Sequence, residues 1–393
     1  MSEKKFLSGD EAFAEGVRLA RPKVVSAYPI TPQTIVVERL SEMCEKGELE
    51  AEFIHVESEH SAMMSAMGAQ SVGARTFTAT SSQGLLYMAE CLPYVAGGRF
   101  PIVMMNANRA TALPWSIFGD QRDSISQLDC GWIQIYVENA QESLDMALQS
   151  YYLAEHESVR LPVMVNLDGF VLTHTYEIVE IPDSDKADEF LPEYTTTNKM
   201  DLDHPKSLAY TVGPEANTEF LVLHHRAMQK VESVIEQVDR RYEEIFGRSY
   251  GGLTVNYKTE DADYVMVTLG SITGLVREVA DELREEGMRV GVIKLRFLRP
   301  FPNRALAEAL RTVKSVGVLE KDLSFGNEGT VYTNVNSALV KEGIGIPSIN
   351  FIAGLGGRNI SKENIRDCFH MLADPKDHES VQFIGLEAID DVR

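Results

Sequence analysis

Short apolar runs alternate with helix-length amphipathic ones along this chain, and that rhythm limits its fold more than any other feature. Asp10 to Ala20 sets Ala12, Phe13, Val17 and Ala20 at helical spacing. Val24 to Tyr28 then reads as a strand, broken by Pro29-Ile30-Thr31-Pro32, with Pro32 suited to a first helical position ahead of a helix over Ile35 to Cys44. The pattern recurs as strand Glu52 to Val56 with a helix from Ser58, and as strand Arg75 to Thr80 with a helix over Gln83 to Ala96 that Gly97-Gly98 ends. Pro101 to Ala107 and Leu161 to Leu167 are further apolar strands. Strands joined by helices in this way predict a parallel sheet covered on both faces.

After about Thr173 the rhythm stops. Pro182 to Pro214 is polar and reads as a surface excursion. A long amphipathic helix follows, with Ala227, Val231, Val234, Ile235, Val238, Tyr242 and Ile245 on one face and Gly247 at its end. A second α/β unit begins near Asp261, with strands at Tyr264 to Leu269, Val290 to Leu295, Val316 to Glu320 and Ser348 to Ala353. The expected architecture is two parallel-sheet domains, 1–255 with the excursion and helix at 173–250, then 256–393.

Ligands of open parallel sheets bind beyond the carboxyl ends of the strands. Here those ends carry Thr31, then Glu57 and Glu59, then Ser81-Ser82-Gln83, then Asn108-Arg109. Glu59 lies in the first turn of a helix, where the dipole favours an acid whether or not it has chemistry to perform. Arg109 ends an apolar strand, a costly place for a cation unless a carboxylate faces it, from a ligand or from the protein.

Other site types are excluded. His55 and His60 have no partner at metal spacing, there is no G-x-S-x-G elbow, and no G-x-x-x-x-G-K-[ST] loop occurs. Gly354-Leu355-Gly356-Gly357 is too short to identify a phosphate loop and reads as a tight turn. The four cysteines, Cys44, Cys91, Cys130 and Cys368, form no C-x-x-C pair, so this chain is expected to hold neither metal nor iron–sulfur cluster. A net charge of −22 argues against nucleic acid and anionic membranes as partners. A polar start from Met1 to Asp10 and the lack of a bilayer-length apolar run fit a cytoplasmic protein.

At its strand ends the sequence resembles the alpha subunit of the 2-oxoacid:ferredoxin oxidoreductases, the pyruvate and 2-oxoisovalerate enzymes in particular. The resemblance is carried by Ala27-Tyr28-Pro29-Ile30-Thr31-Pro32-Gln33-Thr34, Val56-Glu57-Ser58-Glu59-His60-Ser61-Ala62, Thr76 to Leu85, Asn108-Arg109-Ala110, Arg299-Pro300-Phe301-Pro302, Ser324-Phe325-Gly326 and Gly354 to Arg358, in that order. It implies a pyrimidine-binding domain of the thiamine diphosphate (TPP) enzymes followed by a transketolase C-terminal-like domain. It implies oxidative decarboxylation of a 2-oxoacid to an acyl-CoA, with electrons leaving through iron–sulfur clusters to ferredoxin or another acceptor.

The same resemblance assigns residues. Glu59 matches the glutamate that activates TPP, Thr31 and Arg109 match substrate ligands, and Pro29, Ser82 and Gln83 match cofactor contacts. The sequence has no Gly-Asp-Gly segment for a diphosphate–metal site. A beta subunit is therefore expected to complete the TPP site with Mg2+, while gamma and ferredoxin-like delta subunits complete the assembly and partner chains carry the 4Fe-4S clusters. Thr31 points to a monocarboxylic substrate, pyruvate first, because relatives acting on oxalate carry arginine there. Pro114-Trp115-Ser116 and Asp120-Gln121 lean toward the branched-chain relatives, and Arg122 matches neither group. An aryl 2-oxoacid such as phenylglyoxylate and an E1 beta-like half of a lipoamide-linked dehydrogenase are the alternatives.

Overall fold

The protein is described by a computed structural model over residues 3–208 and 211–386; the outermost bounds of the two expected domains, Met1 and Arg393, lie outside these residues. In chain order the described strands are β1 (Glu3–Ser8), β2 (Val24–Ala27), β3 (Glu52–His55), β4 (Thr76–Thr80), β5 (Val103–Asn108), β6 (Ile133–Tyr136), β7 (Val163–Asp168), β8 (Tyr176–Ile181), β9 (Thr254–Tyr257), β10 (Tyr264–Leu269), β11 (Val290–Leu295), β12 (Phe297–Arg299), β13 (Ser315–Glu320), β14 (Ser348–Ile352) and β15 (Val381–Phe383).

Seven of them form one sheet in the order β12-β6-β7-β5-β4-β2-β3. Every pair from β6 to β3 is parallel, and only β12 is antiparallel. The central strands β5 and β7 are buried at all six positions, as strands covered on both faces must be. A second sheet runs β15-β14-β13-β10-β11-β9, parallel except at β9. The expected α/β fold with two parallel-rich sheets is thus observed. No helix among the described residues is long and apolar enough to cross a membrane.

Several local expectations shift. The helix expected over Gln83 to Ala96 is two helices, Ser82–Tyr87 and Cys91–Gly97. Pro93 explains the break: inside a continuous helix it would remove a hydrogen bond and clash with the preceding turn, whereas near a helix start it costs little. The helix after β2 starts at Thr34, so Pro32 stays in the turn before it. Gln33 fixes that turn, accepting from the Ile30 amide at 3.1 Å and donating to the Ala79 carbonyl at 2.9 Å. The long helix spans Pro214–Phe246, takes in the Pro214 end of the expected excursion, and ends at Gly247 with φ 73°. The ribbon of β1 and β8, strand β6 and the helix Ala140–Glu155 are additional to the sequence expectation.

The two sheets are stitched together. β12 leaves the second unit to pair with β6 of the first. Beside it, Glu142 of helix Ala140–Glu155 receives Lys294 Nζ on one carboxylate oxygen and Arg296 Nε, at 3.0 Å, on the other. Burial raises the Glu142 carboxyl, but the two cations outweigh it and its net shift is downward. Its stabilising contribution is therefore present above the ordinary glutamate range and is lost as pH falls through the depressed folded value. Lys294→Ala, which leaves part of this buried charge uncompensated, is expected to cost on the order of 3 kcal/mol in urea unfolding at neutral pH.

Candidate active site

β2 lies between β3 on one side and β4 on the other, so the chain reverses direction across the sheet at the β2/β4 boundary. Beyond the carboxyl ends of strands at such a switch point a crevice opens. The loops after β2, β3, β4 and β5 all meet there.

Glu59 is the first residue of helix Glu59–Ser71, whose N-cap Ser58 accepts from the Ser61 amide at 3.1 Å. The residue is only 7 % exposed, and no hydrogen bond reaches its carboxylate among the described residues. The carboxylate lies against Gly84. A Cβ on Gly84 would come within 2.6 Å of Glu59 Oε1 and 2.5 Å of Thr80 Oγ1. The hydroxyls of Thr80 and Ser81 are buried without partners. Glu57, by contrast, is exposed and bonds Ser61, a helix-start role. Gly84→Ala is expected to displace the Glu59 carboxylate and lower turnover about tenfold, with an overpacking cost of about 1–3 kcal/mol against Thr80; kinetics and a thermal melt of the assembled enzyme check this.

Arg109 follows β5 directly and is 6 % exposed. Its Nη1 donates to the Thr31 carbonyl at 2.8 Å, its Nε has no partner, and the guanidinium carbon stands 5.7 Å from the Trp115 ring centroid. Burial lowers its pKa against the opposing pull of Asp123. Thr31 and Arg109, expected separately from two strand ends, thus form one unit.

The remaining expected residues sit nearby with different attachments. Ser82 is buried at φ 50°, and its hydroxyl lies 2.8 Å from the Ala110 carbonyl and 2.6 Å from the Gln83 amide oxygen. Its side chain ties two loops together, while the neighbouring Ser81 and Thr80 hydroxyls are the unpartnered ones. Gln83 is half-buried, and Pro29 is exposed in the loop after β2.

The segment after Arg109 is seated on the second sheet. Ser116 Oγ donates to the Gly356 carbonyl and the Gly356 amide donates to Asp120, each at 3.0 Å. The Gln121 amide donates to the Lys321 carbonyl and its side chain to Asp168, also at 3.0 Å. Lys321 in turn pairs with Asp168. Arg122, which matched neither substrate group, is paired with Asp120 at 2.9 Å. Leu355–Gly357 is a short 3-10 turn whose Gly356 N–H is already used by Asp120, in keeping with a tight turn.

Sequence reasoning missed Gly84, Thr80, Gln33 and Asp123 as parts of the site. The first three lie inside the motifs that carry the family resemblance, and Asp123 closes the Asp120-Gln121-Arg122-Asp123 stretch.

These features fit an aminopyrimidine. A carboxylate without an internal donor, a glycine that leaves room beside it and two orphaned hydroxyls suit a flat ring with its own polar edge. Nothing in the sequence offers the Gly-Asp-Gly of a diphosphate site.

The comparisons with known proteins agree. Residues 15–240 match the family described as "Pyruvate flavodoxin/ferredoxin oxidoreductase, thiamine diP-bdg", and residues 262–365 match "Pyruvate:ferredoxin oxidoreductase core domain II". The chain is 45% identical over 383 residues to pyruvate synthase subunit PorA of Methanothermobacter thermautotrophicus, covering 98% of each chain. It is 43% identical over 367 residues to ketoisovalerate oxidoreductase subunit VorA of Pyrococcus horikoshii, covering 92% of each. In fold it resembles the 2-oxoglutarate:ferredoxin oxidoreductase from Magnetococcus marinus, with a TM-score of 0.72 at 23% identity, over 93% of this chain and 64% of that one. With a thiamine diphosphate-binding family model over more than half its length and relatives of this identity, the chain belongs to the alpha-subunit family of the 2-oxoacid:ferredoxin oxidoreductases.

Proposed function

We propose that this chain is the alpha subunit of a TPP-dependent, CoA-acylating oxidoreductase that decarboxylates pyruvate and passes the electrons to ferredoxin or a similar acceptor. The observation that carries the reading is the pairing of a buried, donor-free Glu59 with an Arg109–Thr31 unit whose Nε is unpartnered. Bound TPP supplies the nucleophile and the electron sink. Glu59 holds and shares a proton at the pyrimidine N1′, the event that activates the cofactor. Arg109 takes the substrate carboxylate, and its bond to the Thr31 carbonyl fixes the guanidinium plane, so the scissile C–C bond is held in one orientation. Ser81 and Thr80, with Pro29, Ser82 and Gln83 forming the surrounding loops, border the pyrimidine.

The chain divides near residue 255 into the pyrimidine-binding domain and a transketolase C-terminal-like domain. A beta subunit supplies the diphosphate and Mg2+ side of the site. The 4Fe-4S clusters sit on partner chains, with gamma and ferredoxin-like delta subunits in the assembly. The lack of a Gly-Asp-Gly segment and of paired cysteines in this sequence supports that division of labour.

Pyruvate is favoured by similarity to pyruvate synthase subunits, and 2-oxoisovalerate is the second reading, favoured by Pro114-Trp115-Ser116 and the VorA similarity. The deciding experiment is a panel of pyruvate, 2-oxoisovalerate and phenylglyoxylate on the co-purified complex, with CoA and a viologen acceptor. The highest kcat/KM is expected for pyruvate. A preference for 2-oxoisovalerate would move the assignment to the branched-chain enzymes, and no 2-oxoacid-dependent reduction would overturn it.

A further inference from the structure

We propose that Asp123 is the positioning residue that sets Arg109 and the Ser82–Gly84 turn relative to one another, and so aligns the two halves of the site. The proposal rests on the reading of Glu59 and Arg109 given above. Asp123 is fully buried. Its Oδ2 accepts from the Ser82 amide at 3.0 Å, the Arg109 amide at 3.1 Å and Asn106 Nδ2 at 3.3 Å. Its Oδ1 accepts from Asn108 Nδ2 and its neighbour's amide, Ser124 N, both at 2.7 Å. Five N–H donors therefore converge on one carboxylate: one from the start of helix Ser82–Tyr87, three from the end of β5 and the residue after it, and one from Asp123's own neighbour.

Two of those donors bear on function. The Ser82 amide belongs to a residue at φ 50°, a backbone region that a serine occupies only when neighbours hold it there. Two residues on, Gly84 forms the wall against which the Glu59 carboxylate rests. The Arg109 amide is the root of the side chain that reaches the Thr31 carbonyl. One side chain thus fixes the wall behind Glu59 and the origin of Arg109. Asp123 touches neither cofactor nor substrate in this scheme. Its effect is transmitted through hydrogen bonds whose loss would leave buried amides unpaired.

The surroundings also say which substitution is tolerated. Asn108 Oδ1 and Asn106 Oδ1 are buried acceptors without partners. An asparagine at 123 keeps one acceptor oxygen, and its new N–H2 can donate to Asn108 once that amide flips. Alanine has no such remedy.

The test uses the assembled complex and two readouts: calorimetric titration with oxamate, a pyruvate-like carboxylate, and steady-state kinetics. Asp123→Ala is expected to weaken oxamate about tenfold and to lower kcat/KM about a hundredfold. Asp123→Asn is expected to retain oxamate affinity within about threefold. If Asp123→Ala does not assemble, the Asp123→Asn, Asn108→Ala double variant replaces it, with the same weakening expected. Folded complex of Asp123→Ala, or of the double variant in its place, with wild-type oxamate affinity and KM would overturn the proposal, since a purely structural carboxylate would reduce only the yield or the melting temperature. Glu59→Gln and Arg109→Lys run in parallel. If those are also unimpaired, the site assignment itself fails, whereas impairment of those two alone leaves the site standing and removes Asp123 from it.

Discussion

Glu59→Gln in the assembled enzyme is expected to lose 2-oxoacid-dependent viologen reduction by about a thousandfold, within the range that a positioned proton-transfer group contributes. Glutamine has nearly the same shape and enters the same space beside Gly84, so no cavity is created. The stability cost is limited to a negative charge lost from the first turn of helix Glu59–Ser71, about 0.3–1 kcal/mol. A shift of that size moves the melting temperature by a few degrees at most and cannot account for a loss of three orders of magnitude. What glutamine cannot do is hold a shared proton at the pyrimidine N1′. Rates and a thermal melt on the same preparation separate the two effects, and turnover within a few-fold of wild type would remove Glu59 from its role.

Arg109→Lys should also lose activity, but in a different way. The guanidinium of Arg109 donates to the Thr31 carbonyl through Nη1, and its Nη2, which makes no hydrogen bond among the described residues, is left for a ligand. A lysine ammonium is a point donor that cannot span both in one plane. Charge-assisted hydrogen bonds are worth about 1.5–3 kcal/mol, so a loss of roughly tenfold to a hundredfold in kcat/KM follows. Most of it should appear as a raised KM, because the carboxylate is gripped before and during decarboxylation alike. A fall in kcat with KM unchanged would mean that Arg109 acts on the reacting bond rather than on the carboxylate. Arg109→Ala goes further, since the Thr31 carbonyl loses its donor and the Trp115 ring loses the cation beside it.

Much of this arrangement was legible in the chain. Apolar runs such as those of β5 and β7 are a local signature of strands covered on both faces, and polar residues immediately after them mark the ligand side. Glu59 and Arg109 stand where this rule puts them. What escaped has a common cause. β12 is three residues long and pairs with a strand more than 150 positions earlier, a contact no local pattern encodes. β6 has only four residues and follows an irregular loop. Asp123 looks like a surface acid in a polar stretch, and only the convergence of the loops after β4 and β5 buries it. Ser82 matched a motif, but its positive φ turns the hydroxyl toward Ala110, which residue identity alone does not reveal.

The seating of residues 110–123 on Gly356 and Lys321 bears on how substrate preference could be exchanged between relatives. A chimera that transplants the first parallel-sheet unit alone would carry this segment away from the surface on which it is seated. Ser116, Asp120 and Gln121 would then meet a foreign turn at 354–357 and a foreign strand end at 321. On the proposed site assignment, a graft is expected to keep the donor's selectivity only if two sequence blocks, 200 to 240 positions apart, move together.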